Sequence, residues 1–191
     1  MKLACVLIAI FAFSMQLTVS AAVVDPYIDN VVSYTAGTNT FAPHNNPAEV
    51  FGAPDGGIGA AGGYLSLGNN GEVILEFTDN LLVDGTGFDL RLYEIGNPDP
   101  YAIAISHDNI NYYPIGTGTT SKSFDINSAV LASGQTAFRY VKIHDNSAFQ
   151  TPAPFAGTDI DSIEALNTIP IPEPASLALL SLSSLALIRR R

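Results

Sequence analysis

The chain has a single cysteine and no tryptophan in 191 residues. One thiol excludes a disulfide scaffold and a cysteine-built zinc site. Basic residues are scarce too. Eight Lys and Arg stand against eighteen Asp and Glu, a formal net charge of −10. Duplex nucleic acid is held mainly through cationic contacts to phosphate, so this balance argues against a nucleic-acid partner. Charged residues make up only 14% of the chain and hydrophobic residues 47%. That leaves too little charge for a heptad coiled coil and enough apolar surface for a packed core. The length allows one globular domain with appendages. The three histidines, His44, His107 and His144, have no metalloprotease spacing, and no Gly-x-Ser-x-Gly elbow precedes a helix. No catalytic residue is expected, and the histidines read as surface or strand-end residues.

Both ends read as addresses. Residues 1–22 have the pattern of a secretory signal: Lys2, an apolar run from Leu3 to Leu17, and small residues around Ser20-Ala21-Ala22. Cys5 lies inside that segment, so removing it leaves a chain with no thiol nucleophile. At the other end Ile171-Pro172-Glu173-Pro174 precedes an uncharged run from Ala175 to Ile188, then Arg189-Arg190-Arg191. As a helix at ~1.5 Å per residue this run reaches roughly 21 Å, short of a ~30 Å hydrocarbon core. Snorkelling arginines close part of the gap and hold the end on the cytoplasmic side.

Pro172, Glu173 and Pro174, the apolar run, and Arg189, Arg190 and Arg191 together resemble the PEP-CTERM sorting signal of exported bacterial proteins. The resemblance covers residues 171–191. It implies export by the secretion machinery of a Gram-negative cell that makes extracellular polysaccharide. It also implies transient membrane insertion through the C-terminal helix, and processing by an exosortase.

Between the ends, residues 23–168 show short alternating or apolar runs between Gly, Pro, Asn and Asp clusters, with no helical periodicity beyond two turns. Strands are expected at Val31–Tyr34, Glu72–Phe77, Asp89–Glu94, Tyr101–Ser106, Tyr112–Ile115, Ser123–Asp125, Ala137–His144 and Asp161–Leu166. Val73, Leu75 and Phe77 share one face, as do Val141 and Ile143. With Leu90, Leu92, Ile103, Ile105 and Ile163 they form the expected core. His107-Asp108-Asn109 reads as a hairpin turn, because Asp and Asn tolerate turn backbone. The spacing predicts an all-β, antiparallel sandwich flanked by two terminal apolar helices. A domain of this size buries a core without disulfides. The organisation is therefore a signal over 1–22, a β-sandwich over 23–168 and a sorting tail over 169–191.

Phe51-Gly52-Ala53-Pro54-Asp55-Gly56, the run Val83-Asp84-Gly85-Thr86-Gly87-Phe88-Asp89-Leu90-Arg91-Leu92-Tyr93-Glu94, and Asp159-Ile160-Asp161-Ser162-Ile163-Glu164-Ala165-Leu166 give the domain a likeness of its own. It resembles exported surface proteins with a galactose-binding-like (discoidin-like) jelly roll. That resemblance implies a structural calcium between an early loop and the last strand, here Asp55 with Glu164. It also implies sugar binding through loops at one end.

The acidic residues support a cation independently of any likeness. Outside residues 1–22 and 173–191 only Arg91, Lys122, Arg139 and Lys142 face seventeen carboxylates, and such an excess repels itself unless cations offset it. Calcium takes carboxylate and carbonyl oxygens, which Gly-rich loops can converge. Asp84 and Asp89, across Gly85 and Gly87, are a second candidate pair, without the EF-hand ligand pattern. The alternative is that Asp-Gly pairs are turns and the charge serves solubility. Tyr27, Phe41, Tyr64, Tyr112, Tyr113, Phe149 and Phe155 lie in or near loops, where a ring can stack on a sugar. Three function classes follow: a calcium-binding, polysaccharide-binding envelope or matrix protein; a structural surface protein without a glycan ligand; and a secreted hydrolase.

Overall fold

The computed structural model describes residues 24–56, 63–147, 153–154 and 156–171. The signal segment and the sorting tail from Pro172 onward, with their expected helices, lie outside the described residues. No helix among the described residues is long and apolar enough to cross a membrane.

The fold is an antiparallel β-sandwich of the jelly-roll kind. Its strands are β1 (Asn30–Thr35), β2 (Leu65–Ser66), β3 (Glu72–Glu76), β4 (Asn80–Val83), β5 (Leu90–Glu94), β6 (Tyr101–Ser106), β7 (Tyr113–Gly118), β8 (Lys122–Phe124), β9 (Ala137–Phe138), β10 (Tyr140–Asp145), β11 (Asp159–Ala165) and β12 (Thr168–Pro170). A five-stranded sheet runs β1-β3-β10-β6-β7, and a four-stranded sheet runs β2-β11-β5-β8. A short third sheet, β12-β4-β9, flanks them. The chain crosses repeatedly between sheets, so neighbours in space are distant in sequence.

Strand alternation dictates the core. β3 and β10 bury every second residue, and Val73, Leu75, Phe77, Leu90, Leu92, Ile103, Ile105, Val141, Ile143 and Ile163 are each no more than 1% exposed. Each such side chain contributes about 1.5–3 kcal/mol by leaving water. All ten are positions that alternation alone marks as core.

Two expectations change, and one short helix is added within the two-turn limit. The strand expected over Ala137–His144 breaks at Arg139. Phe138 pairs with Leu82 in the small sheet, whereas Tyr140 pairs with Glu76 in the large one. Arg139 marks the crossing: its Nε lies 2.8 Å from Glu76 Oε1, and its carbonyl accepts from the Phe77 N–H. The short strands β2, β4 and β12 have no counterpart in the sequence pattern, being too brief to show a period, and β12 runs across the 168/169 boundary. A seven-residue helix, α1 (Asn127–Ser133), follows β8 and ends on Gly134 in the left-handed region (φ 71°).

The expected hairpin joins β6 to β7. Asp108 Oδ1 accepts from the backbone N–H groups of Ile110 and Asn111, both at 2.9 Å, and Asn109 adopts φ 59°. The first and last described segments meet at one pole of the sandwich. Pro170 pairs with Asn80, and the Asn80 side chain donates to the Asp25 carbonyl at 2.7 Å. β3 and β10 run from that pole, at Glu76 and Tyr140, to the opposite one at Glu72 and Asp145.

Candidate metal centre

Asp84, Asp89 and Asp125 converge on one point. Asp84 follows β4, Asp89 precedes β5 and Asp125 follows β8; the pairing of Leu90 with Phe124 sets the last two side by side. Gly87 at φ 96° lets the 84–89 loop turn back on itself. One ligand oxygen from each of the three lies within 4.8 Å of the others. Asp84 and Asp125 are exposed, while Asp89 is fully buried.

Asp89 has a second task. Its Oδ1 accepts from the Gly85 N–H at 2.7 Å and the Asn167 side chain at 2.9 Å. Its Oδ2 accepts from the Ile126 N–H at 3.0 Å. One carboxylate therefore ties the 84–89 loop, the start of α1 and the β11–β12 turn together. Desolvation, with the charges of Asp89 and Asp125, raises the Asp84 carboxyl above its usual value. The side-chain ion pairs among the described residues engage Glu72, Glu76 and Asp108, and none reaches this trio.

Asp125 was not legible in the sequence, because only the β5–β8 pairing brings it beside Asp89. The other expected pair divides between two neighbourhoods. At Asp55 the backbone N–H donates to Asp161 Oδ1 at 3.3 Å, and the Gly56 N–H donates to Asp161 Oδ2 at 3.1 Å. Burial raises the Asp161 carboxyl, and the two N–H donors oppose that rise. Glu164, next along β11, accepts from the Tyr93 hydroxyl at 2.6 Å and lies opposite Tyr27 in a β-bridge. The early loop does meet the last long strand, with Asp161 as its carboxylate neighbour. Asp161, like Asp125, comes into the neighbourhood only through pairing that no local sequence window contains.

A cleft of about 510 Å³ opens beside Tyr101 and is lined also by Pro100, Thr117, Ser121, Lys122 and Asn146. Hydroxyls, an amide and a single ammonium share its lining with apolar surface. Lys122 Nζ donates to the Thr117 carbonyl at 2.7 Å and sits 5.3 Å from the centre of the Phe124 ring. Of the rings near loops, Phe41 is 57% exposed and Tyr64 stacks on His44 at 4.6 Å, while Phe149 and Phe155 lie outside the described residues. His44 departs from its expected surface position. The Ser66 N–H bonds its carbonyl and Tyr64 covers its ring, so it is buried.

No protein-family model matches the chain, and no curated protein matches it. Solved structures with a similar fold include the C-terminal domain of a chitobiase from Bacteroides fragilis. It is 14% identical at a TM-score of 0.47, over 75% of this chain and 95% of that one. Two domains produced by Clostridium perfringens are also similar. CpGH89CBM32-6 is 12% identical at a TM-score of 0.44, over 75% of this chain and 94% of that one. CpGH89CBM32-4, in complex with GlcNAc-α-1,4-galactose, is 11% identical at 0.44, over 71% and 94%.

Proposed function

We propose that the chain is an exported, non-catalytic cell-envelope or extracellular-matrix protein whose sandwich is braced by calcium and engages extracellular polysaccharide. The observation that carries this reading is the convergence of Asp84, Asp89 and Asp125 from three separate segments, with no basic side chain paired to them among the described residues. An all-oxygen donor set of two exposed carboxylates and one buried one fits a hard divalent cation, and calcium tolerates its irregular geometry. The ion would offset two of the trio's three negative charges and fix the turn between β4 and β5 to the end of β8. Asp55 and Glu164 remain the competing calcium pair. The hydroxyl-lined cleft beside Tyr101 and the exposed ring of Phe41 are surfaces suited to sugar hydroxyls and sugar faces.

The tail supplies the address. Residues 172–191 would serve as an exosortase sorting signal, holding the chain at the membrane until it is cut near Pro172–Pro174. Mass spectrometry of the protein recovered from the cell surface should find Arg189–Arg191 missing; a mature chain that keeps them overturns exosortase processing. A glycan pull-down in calcium and in chelator tests the polysaccharide claim. Retention of exopolysaccharide in calcium, weakened in chelator, is the expected result. No retention in either condition leaves a structural surface protein.

A further inference from the structure

At the pole opposite Asp25 and Pro170, four acidic residues are withdrawn from water with no Lys or Arg partner among the described residues. Glu94 closes β5, Asp99 precedes β6, Asp145 closes β10 and Asp159 opens β11. They are 7%, 6%, 0% and 5% exposed, respectively. Backbone pairing makes them neighbours. Glu94 lies opposite Ile160, the Ile95 N–H donates to the Asp159 carbonyl at 3.0 Å, and Asp145 lies opposite Tyr101.

The four do not share one role. Asp145 is saturated by donors: its Oδ1 accepts from the Thr158 N–H and the Ser147 hydroxyl, and its Oδ2 accepts from the Asn70 N–H at 2.9 Å. It is a clamp on the loops. Asp159 Oδ1 accepts from the Ser66 hydroxyl. Gly96 packs so closely that a Cβ there would sit 3.2 Å from Asp159 Oδ2. Glu94 is different. Ser121 locks its backbone through both N–H and C=O at 2.9 Å, yet its side-chain Oε1 is buried with no hydrogen-bond partner. The charged groups acting on Glu94 are Asp159 and Asp99. A buried carboxylate oxygen without a hydrogen-bond partner, with the like charges of Asp159 and Asp99 acting on it, is costly unless a cation or a proton offsets it.

We propose that Glu94, Asp99 and Asp159 form a second hard-cation site, of calcium class, that pins the β5–β6 turn to the start of β11. The three oxygens stand wider than the Asp84 trio, which alone among the described residues keeps all ligand atoms within 4.8 Å. A bound cation would offset the repulsion among the three and let their oxygens close on it. The donors are all oxygen, and nothing in the group suits a softer metal. The site is separate from the Asp84, Asp89 and Asp125 group, which lies at the far end of β5.

Calcium binding by the full chain, followed by equilibrium dialysis against calcium alone, tests this. Glu94→Gln and Asp159→Asn each keep the side-chain shape and remove one charge. Each should lower the bound calcium by one ion per chain, or weaken that ion roughly tenfold or more, and should do so additively with Asp84→Asn, which removes the separate ion of the Asp84 group. Asp99→Asn should act in the same direction and stands in should Asp159→Asn fail to fold. Unchanged stoichiometry and affinity in folded Glu94→Gln and Asp99→Asn proteins overturns the site. Loss of an ion only in Asp84→Asn does the same, while leaving the first calcium reading intact.

Discussion

Asp89 shows how one carboxylate can answer to two demands. Its oxygens already accept from Gly85, Ile126 and Asn167, so its removal strands three donors whether or not a metal binds. We predict that Asp89→Ala destabilises the protein by about 3 kcal/mol or more even in chelator, because buried donors lose a charged acceptor. Asp84→Asn and Asp125→Asn, both at exposed positions, should change stability in chelator by less than about 0.5 kcal/mol. They should reduce only the gain from calcium. Urea melts of the three variants, each with and without calcium, separate structural from ligating carboxylates. Glu94 carries the opposite expectation. Glu94→Gln should raise the chelator melting temperature, since it removes an ionisable group from a buried, like-charged setting. A lower melting temperature would mean that the Glu94 carboxylate has a donor in the folded protein.

Among the elements, alternation made the long strands legible and closure made the short ones invisible. β3, β6 and β10 announce themselves because every second residue is apolar and buried. β4 and β12 exist because each supplies the other's hydrogen bonds across some ninety residues of chain, a relation no local window contains. The candidate site divides the same way. Asp84 and Asp89 were legible from their shared glycine loop, whereas Asp125 and Asp161 depended on register between distant strands. Glycines at the loop pole mark a close approach that the sequence records only as turn residues. Gly68 has φ 77°, and a Cβ there would fall 2.7 Å from the Gly37 carbonyl carbon. Gly68→Ala should therefore cost about 2–4 kcal/mol, combining left-handed strain with overpacking. Asp108→Ala, which unties the β6–β7 turn, should cost less, about 1–2 kcal/mol, since the turn is solvated. Thermal melts that rank the two the other way would contradict the packing described for that pole.

For the whole molecule the acidic excess is a folding problem as well as a surface property. Asp89, Glu94, Asp99, Asp145, Asp159 and Asp161 are all buried, and none has a Lys or Arg partner among the described residues. Burial, with the charges of Asp159 and Asp99, pushes Glu94 up to about 8. Burial likewise pushes Asp159 up to about 7, the Ser66 hydroxyl opposing it and Asp99 and Asp145 adding to it. Tyr64 and Tyr101 also face this group, and Lys122, the ammonium lining the neighbouring cleft, turns to Thr117 and Phe124. In the unfolded chain both acids titrate near 4. Between pH about 4 and about 8 the folded state therefore holds more protons than the unfolded one. Metal-free stability is then highest below pH 4–5, as far as these two groups decide it, and falls as pH rises through 7 and 8. A bound divalent cation replaces those protons, so the calcium effect should grow over the same interval.

Thermal unfolding of the full chain, at pH 5 and pH 8, in chelator and in millimolar calcium, tests the cation-braced sandwich most directly. Extracellular calcium sites have Kd of ~10⁻⁴–10⁻³ M, so millimolar calcium is about a one- to tenfold excess and adds about 0.4–1.4 kcal/mol per site for an ion that binds only the folded state. A rise of roughly 2–5 °C with calcium is expected at pH 8, and a much smaller rise at pH 5. Equal melting temperatures in chelator and calcium at both pH values would contradict it, and would leave the seventeen carboxylates of the domain as a matter of solubility.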